Sequence, residues 1–193
     1  MYKRQPFNID INEYQKEAAL KDGTNKLKLS NSFRDPTFIR EVLSYEIIKN
    51  YMPAPKVGFF RLIINKEDYG LYVGTSSINK QFLMEEYGTE NGSLIKCDPD
   101  YGLTDIADCD QERLANLVQF DNEECYKYRY ELKSSEGWVS LAELINRLNT
   151  KVDGIDEILN VHSVLWMHAL NMVLVNLDSY TGCLLYTSPS PRD

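Results

Sequence analysis

The sequence has little of what marks the commoner function classes. It holds two histidines. With no His, Asp or Glu set clustered around them, His162 and His168 read as packed or exposed helix residues rather than metal ligands. Of its 4 cysteines, Cys97, Cys109 and Cys125 show no short paired spacing, and Cys183 lies in the C-terminal stretch treated below. That excludes a zinc site and predicts no disulfide framework. No glycine-rich stretch has the spacing that cradles phosphate. No apolar run reaches the roughly 20 residues of a membrane span. Basic charge is also short, with 21 Lys and Arg against 29 Asp and Glu. Such an acidic chain argues against nucleic acid as the main partner and gives no support to membrane-surface binding through basic residues. Internal repeats and low-complexity segments are lacking too.

What is present is enough to build a core: 43% hydrophobic residues and 13 tyrosines over 193 positions. The composition is not that of a disordered chain. The most distinctive stretch runs from Leu165 to Gly182. Its first part is apolar on every side, which predicts a buried helix. Asn176, Asp178, Ser179, Tyr180 and Thr181 follow and end on Gly182. A buried helix that delivers a carboxylate into a polar loop holds a reactive group rigidly. Alternatively, Asp178 and Ser179 simply end the helix as turn residues.

The two ends read differently. Cys183 to Asp193, with the run Tyr-Thr-Ser-Pro-Ser-Pro-Arg-Asp, looks like a transposon-type sequencing adapter translated in frame, and Met1 to Gln5 looks like the other end of the same adapter. We therefore expect residues 6–182 to be the biological part, one domain or most of one, incomplete at both ends. Setting aside Lys3, Arg4, Arg192 and Asp193 leaves 18 basic and 28 acidic residues, a net charge of −10 rather than −8. On this reading a missing leader or anchor carries no information about compartment.

Along the chain, residues 6–25 are polar and mixed. The alternation in Lys26-Leu-Lys-Leu29 predicts a short strand. Asp35 before Pro36 predicts a capped helix running to about Tyr51, with Phe38, Ile39, Val42, Leu43 and Ile47 on its apolar face. Pro53 and Pro55 stop it. Val57 to Val73 predicts a β-hairpin turning at 65–68. A short helix is expected over 76–87 and a strand at 93–96. Residues 97–137 read as a long irregular insertion, apart from a possible helix at 111–118. Trp138 to Leu148 predicts a helix with Leu141, Leu144, Ile145 and Leu148 on one stripe, and Ile155 to Val175 leads into the central stretch.

Five blocks in this order resemble the spore coat protein H (CotH) kinase family: Lys28 to Arg40, Pro53-Ala-Pro55, Leu62 to Tyr72, Tyr130 to Glu136, and Val175 to Gly182. The resemblance implies an α+β, atypical protein-kinase-like fold. It also implies a protein kinase that uses ATP with Mg2+ or Mn2+ to phosphorylate Ser or Thr of protein substrates, spore coat proteins in the namesake case. Such chemistry needs little covalent help from the protein; it needs positioning, and cations on the phosphates. Carried onto this chain, Asp178 would be the catalytic group that orients or deprotonates the attacking hydroxyl. Lys28 would contact the phosphates and Glu41 would pair with it, with Lys26 and Glu46 as alternatives. Arg40 matches a family arginine and would join Lys28 and Glu41 in binding the nucleotide, and Asn176 would shape the Asp178 loop. The bland alternatives are an exposed lysine on a strand, a solvated helix carboxylate, a surface ion pair for Arg40, and a helix C-cap for Asn176.

Two positions depart from the family pattern. Ser76 stands where many members have Glu, and His162 where Asp is usual. The family's metal-binding residues are expected beyond Gly182, so residues 6–182 hold no metal site and the 193-residue chain is expected to bind metal–ATP poorly and to be inactive by itself. The competing reading is a non-catalytic, coat-like scaffold on the same fold, which Ser76 favours and Asp178 opposes.

Overall fold

The computed structural model describes residues 5–97, 109, 117–120, 122, 124–176 and 179. The chain divides into two units, one through Glu90 and one from Asn91.

The first unit is built on a four-stranded antiparallel sheet. Its strands are β1 (Phe7–Asp10), β2 (Lys26–Ser30), β3 (Val57–Ile64) and β4 (Glu67–Ser76), in the order β1-β2-β4-β3. Alternation sets the faces. Leu27 and Leu29 of β2 join Tyr72 of β4 in the core, with Phe7, Ile9, Phe60 and Leu62 packed against them. β3 and β4 form the expected hairpin. The turn is tighter than expected, with only Asn65 and Lys66 between the strands, both at positive φ (51° and 70°). Both central residues of a type I′ turn take this conformation, whose twist suits a hairpin. β4 also runs on to Ser76, past the expected end at Val73. Gly74 lies under the Phe60 ring: a Cβ built there would stand 2.4 Å from two ring carbons. β1 came from the stretch left unread, because four residues give too little alternation to stand out.

Helix α1 (Arg40–Ile48) begins four residues later than Pro36 and ends before Tyr51. Asp35 still serves its N-terminus. One carboxylate oxygen accepts the Arg40 N–H at 2.8 Å and the other accepts from Thr37. The intervening chain turns through Phe38 at φ 60°, so an aspartate before a proline marks a turn that feeds the helix, not its first residue. α2 (Lys80–Tyr87) has Asn79 as N-cap, accepting from the Phe82 N–H at 3.1 Å, and left-handed Gly88 at its end.

In the second unit, β5 (Ile95–Lys96) pairs with β6 (Glu131–Leu132). α3 (Glu124–Lys127) and α4 (Trp138–Thr150) supply the core, which is Tyr126, Tyr130, Leu141 and Ile145. A single 3-10 turn (Ile155–Glu157) precedes α5 (Val161–Val173).

Three expectations need correction here. Residues 124–132, part of the presumed irregular insertion, carry a helix and a strand and bury two tyrosines. Cys109 and Cys125 form a disulfide, with Cα atoms 5.5 Å apart. A separation of 16 residues has no sequence signature, and only the fold brings the two together. Finally, α5 is not buried all round: Leu170 alone is buried, while Leu165, Met172 and Val173 are 63%, 69% and 78% exposed. Apolarity on every side shows which surfaces favour cover, not that this chain covers them. The possible helix at 111–118 lies mostly outside the described residues.

Candidate functional site

The face of the sheet opposite the Leu27–Tyr72 core carries the charged candidates. Lys28 lies between Leu27 and Leu29, so the pleat turns it to that face. Its register partner on β4 is Thr75. Paired residues of an antiparallel ladder present their side chains on the same side, with Cα atoms about 4.5–5.5 Å apart. Thr75 is buried, at 6% exposure. Its hydroxyl donates to Oε1 of Glu41 at 2.6 Å. That length is typical of a hydroxyl on a charged carboxylate. The fold thus brings Glu41, 13 positions away in sequence, to the strand position opposite Lys28.

The rival candidates are occupied. Lys26 forms an ion pair with Asp10 at 2.8 Å, across the β1–β2 ladder. The bond holds the Asp10 carboxyl below its ordinary range and the Lys26 ammonium above its own. Glu46 pairs with Lys49, one turn along α1. Lys28 and Glu41, by contrast, form no ion pair among the described residues. Among the described residues, then, Lys28 has no ion-pair partner, and the half-buried Glu41 carboxylate accepts from the neutral Thr75 hydroxyl. Tyr45, one turn along from Glu41, completes the group. Burial first, and then the Glu41 charge, push its phenol above the ordinary value of 10.0.

Arg40 is placed apart from this pair. Its side chain is exposed, with Nε 3.8 Å from Asp35 and Nη1 donating to the Arg34 carbonyl at 3.5 Å. Ser76 closes the end of β4: its hydroxyl accepts the Lys56 N–H at 2.9 Å, and its own N–H donates to the Lys56 carbonyl. Lys56 in turn pairs with Glu85 of α2 at 2.9 Å.

In the second unit, Asn176 stands two residues past Leu174, the C-cap of α5. Its side-chain amide donates to Oδ1 of Asn171 at 2.9 Å, and its N–H donates to the Asn171 carbonyl at 2.8 Å, closing the end of α5. Its own carbonyl accepts the hydroxyl of buried Ser179 at 2.8 Å. Val175, just before, has φ 52°. A β-branched residue in that region is strained, and such strain concentrates at functional loops. Asp178 itself lies outside the described residues. His162 accepts the Trp166 indole N–H at Nε2, 3.0 Å away, so this pair is a helix-surface contact.

Thr75 is the residue that sequence reasoning passed over. As a β-branched residue in a strand it carries no signal. Only the β2–β4 register, once fixed, sets it opposite Lys28.

Among the described residues no group of three His, Cys, Asp or Glu is placed to hold a metal ion, and no helix is long and apolar enough to cross a membrane. A family model described as CotH kinase protein matches residues 1–192. No curated protein matches the chain. The match spans nearly the whole sequence, and the chain belongs to the CotH kinase family; its helices and antiparallel sheets are the α+β architecture expected of such a kinase-like fold.

Proposed function

We propose that this member of the CotH kinase family transfers phosphate from ATP to Ser or Thr hydroxyls of protein substrates, coat or surface proteins among them. One observation carries the reading: Glu41 is held at the register partner of Lys28, and among the described residues neither forms an ion pair. An unpaired lysine with a carboxylate beside it fits a triphosphate, because the lysine can take the phosphate charge while the carboxylate orients it. Bound ATP with Mg2+ or Mn2+ supplies the phosphoryl group and the charge neutralisation. Lys28 contacts the phosphates, Glu41 orients Lys28, and Asp178 positions the attacking hydroxyl. Asn176, bonded to Asn171 of α5, shapes the start of the segment that carries Asp178. Arg40 stays with the α1 N-terminus and acts, if at all, through that helix.

Ser76 favours the second reading, a non-catalytic scaffold. Where many relatives carry Glu, this serine is engaged in closing the strand end. The test is transfer of labelled phosphate from ATP to a protein acceptor by the product of the complete gene, with Mg2+ or Mn2+. We expect transfer, reduced about 100-fold or more in Asp178→Asn, as for loss of a general base. Binding of metal–ATP without transfer overturns the kinase reading in favour of the scaffold.

A further inference from the structure

Helix α1 reaches the sheet with little apolar anchorage. None of its residues is buried, and Leu43 is 52% exposed. Packing alone therefore does not fix where its carboxylate stands. The described ties of α1 are few. Asp35 holds its first N–H group, Tyr45 is half-buried, and Thr75 bonds Glu41 at 2.6 Å. Of these, only the last joins the helix to β4 by a side-chain hydrogen bond. The donor sits on a rigid element, between buried Gly74 and strand-ending Ser76, and its buried hydroxyl has Glu41 as its bonded acceptor.

Resting on the nucleotide reading above, we infer that Thr75 is a positioning residue: its hydroxyl anchors the Glu41 carboxylate opposite Lys28 and so sets α1 in register with the phosphate-contacting strand. Thr75 touches neither nucleotide nor substrate in this role. It acts through Glu41.

The register supports this. Lys28 and Thr75 face each other across the ladder, so any carboxylate bonded to Thr75 lies within reach of the long lysine side chain. A hydrogen bond between a neutral hydroxyl and an ionised carboxylate is worth more than one between neutral groups. It also gives the carboxylate a donor without consuming a cation, which leaves Lys28 for phosphate.

The test uses the product of the complete gene with Thr75→Val, which keeps the shape and removes the hydroxyl, and Thr75→Ser, which restores it. Two readouts are followed. The first is modification of Lys28 by an acyl-phosphate derivative of ATP, mapped by mass spectrometry with and without excess Mg·ATP. The second is the alkaline titration of Tyr45 followed by NMR of ring-labelled tyrosine, which reports the Glu41 charge without any nucleotide. Thr75→Val is expected to lose ATP-protected labelling of Lys28 by about tenfold or more, the size expected for one bond to a charged group, and to shift the Tyr45 titration. Thr75→Ser is expected to restore both. If the unmodified chain labels at Lys28 and Thr75→Val labels equally well, the inference about Thr75 fails while the nucleotide reading stands. An unchanged Tyr45 titration in Thr75→Val overturns it as well, whatever the labelling. Absence of protected labelling in the unmodified chain removes the nucleotide reading, and the role given to Thr75 goes with it.

Discussion

Glu41 and Tyr45 stand one turn apart on α1, and the carboxylate adds to burial in holding the Tyr45 phenol above its ordinary range. The sign of the consequence is fixed. A phenol whose folded pKa is raised keeps its proton longer in the folded chain, so its contribution to stability is full below the unfolded value near 10.0 and is lost as pH rises through the folded value. Glu41→Gln should lower the Tyr45 midpoint without bringing it fully to 10.0, because burial, the larger cause, remains. NMR titration of ring-labelled tyrosine measures this. A midpoint unmoved by the substitution would show that the Glu41 charge does not act on Tyr45.

Gly74→Ala should destabilise the first unit. The added Cβ meets two Phe60 ring carbons at 2.4 Å and a Leu29 methyl at 3.1 Å, all within the sheet core. Overpacking of this kind costs about 1–3 kcal/mol. Thermal unfolding should show it, and Phe60→Leu in the same chain should recover part of the loss. A single mutant as stable as the parent would mean that the ring moves freely aside.

The Cys109–Cys125 disulfide closes a 16-residue loop onto the tyrosine core, since Cys125 is buried next to Tyr126. Chain-entropy arguments assign such a loop about 3 kcal/mol. Non-reduced peptide mapping should recover the 109–125 linkage with Cys97 free. Cys125→Ser should lower the unfolding midpoint in denaturant. Recovery of a different pairing would contradict this part of the fold.

We also propose that residues 1–5 and 183–193 are translated adapter. Sequencing the genomic locus should then fail to find codons for Cys183 to Asp193 after Gly182. Finding them encoded in the genome would end that proposal.

Much of the first unit was legible because its signals are local. The Leu27–Leu29 alternation gave β2 and turned Lys28 to the opposite face. The aromatic and β-branched run from Phe59 gave the hairpin. The start of α1 was misplaced because Asp35-Pro36 carries the residue chemistry of a cap, while the bond that settles the matter runs five residues on, to Arg40. The resemblance put Lys28 before Lys26 and Glu41 before Glu46, but the residue pattern by itself left the alternatives open. That Asp10 pairs with Lys26 and Lys49 with Glu46 follows from strand pairing and helix spacing, which the sequence does not display. Likewise, the tie between Thr75 and Glu41 spans 34 residues and becomes visible only once the register is fixed. In the second unit, the α4 stripe was readable, with Leu141 and Ile145 buried as expected, but the disulfide and the exposed flank of α5 were not.

The central claim is that Lys28, with Glu41 beside it, meets the phosphates of ATP. The most direct test is to expose the product of the complete gene to an acyl-phosphate derivative of ATP, which acylates a lysine amine close to the bound phosphates, and to map the products. The account predicts that Lys28 is modified ahead of Lys26 and Lys56, which are engaged with Asp10 and Glu85, and that excess Mg·ATP suppresses the modification. Equal modification of the exposed lysines, unaffected by Mg·ATP, would contradict it.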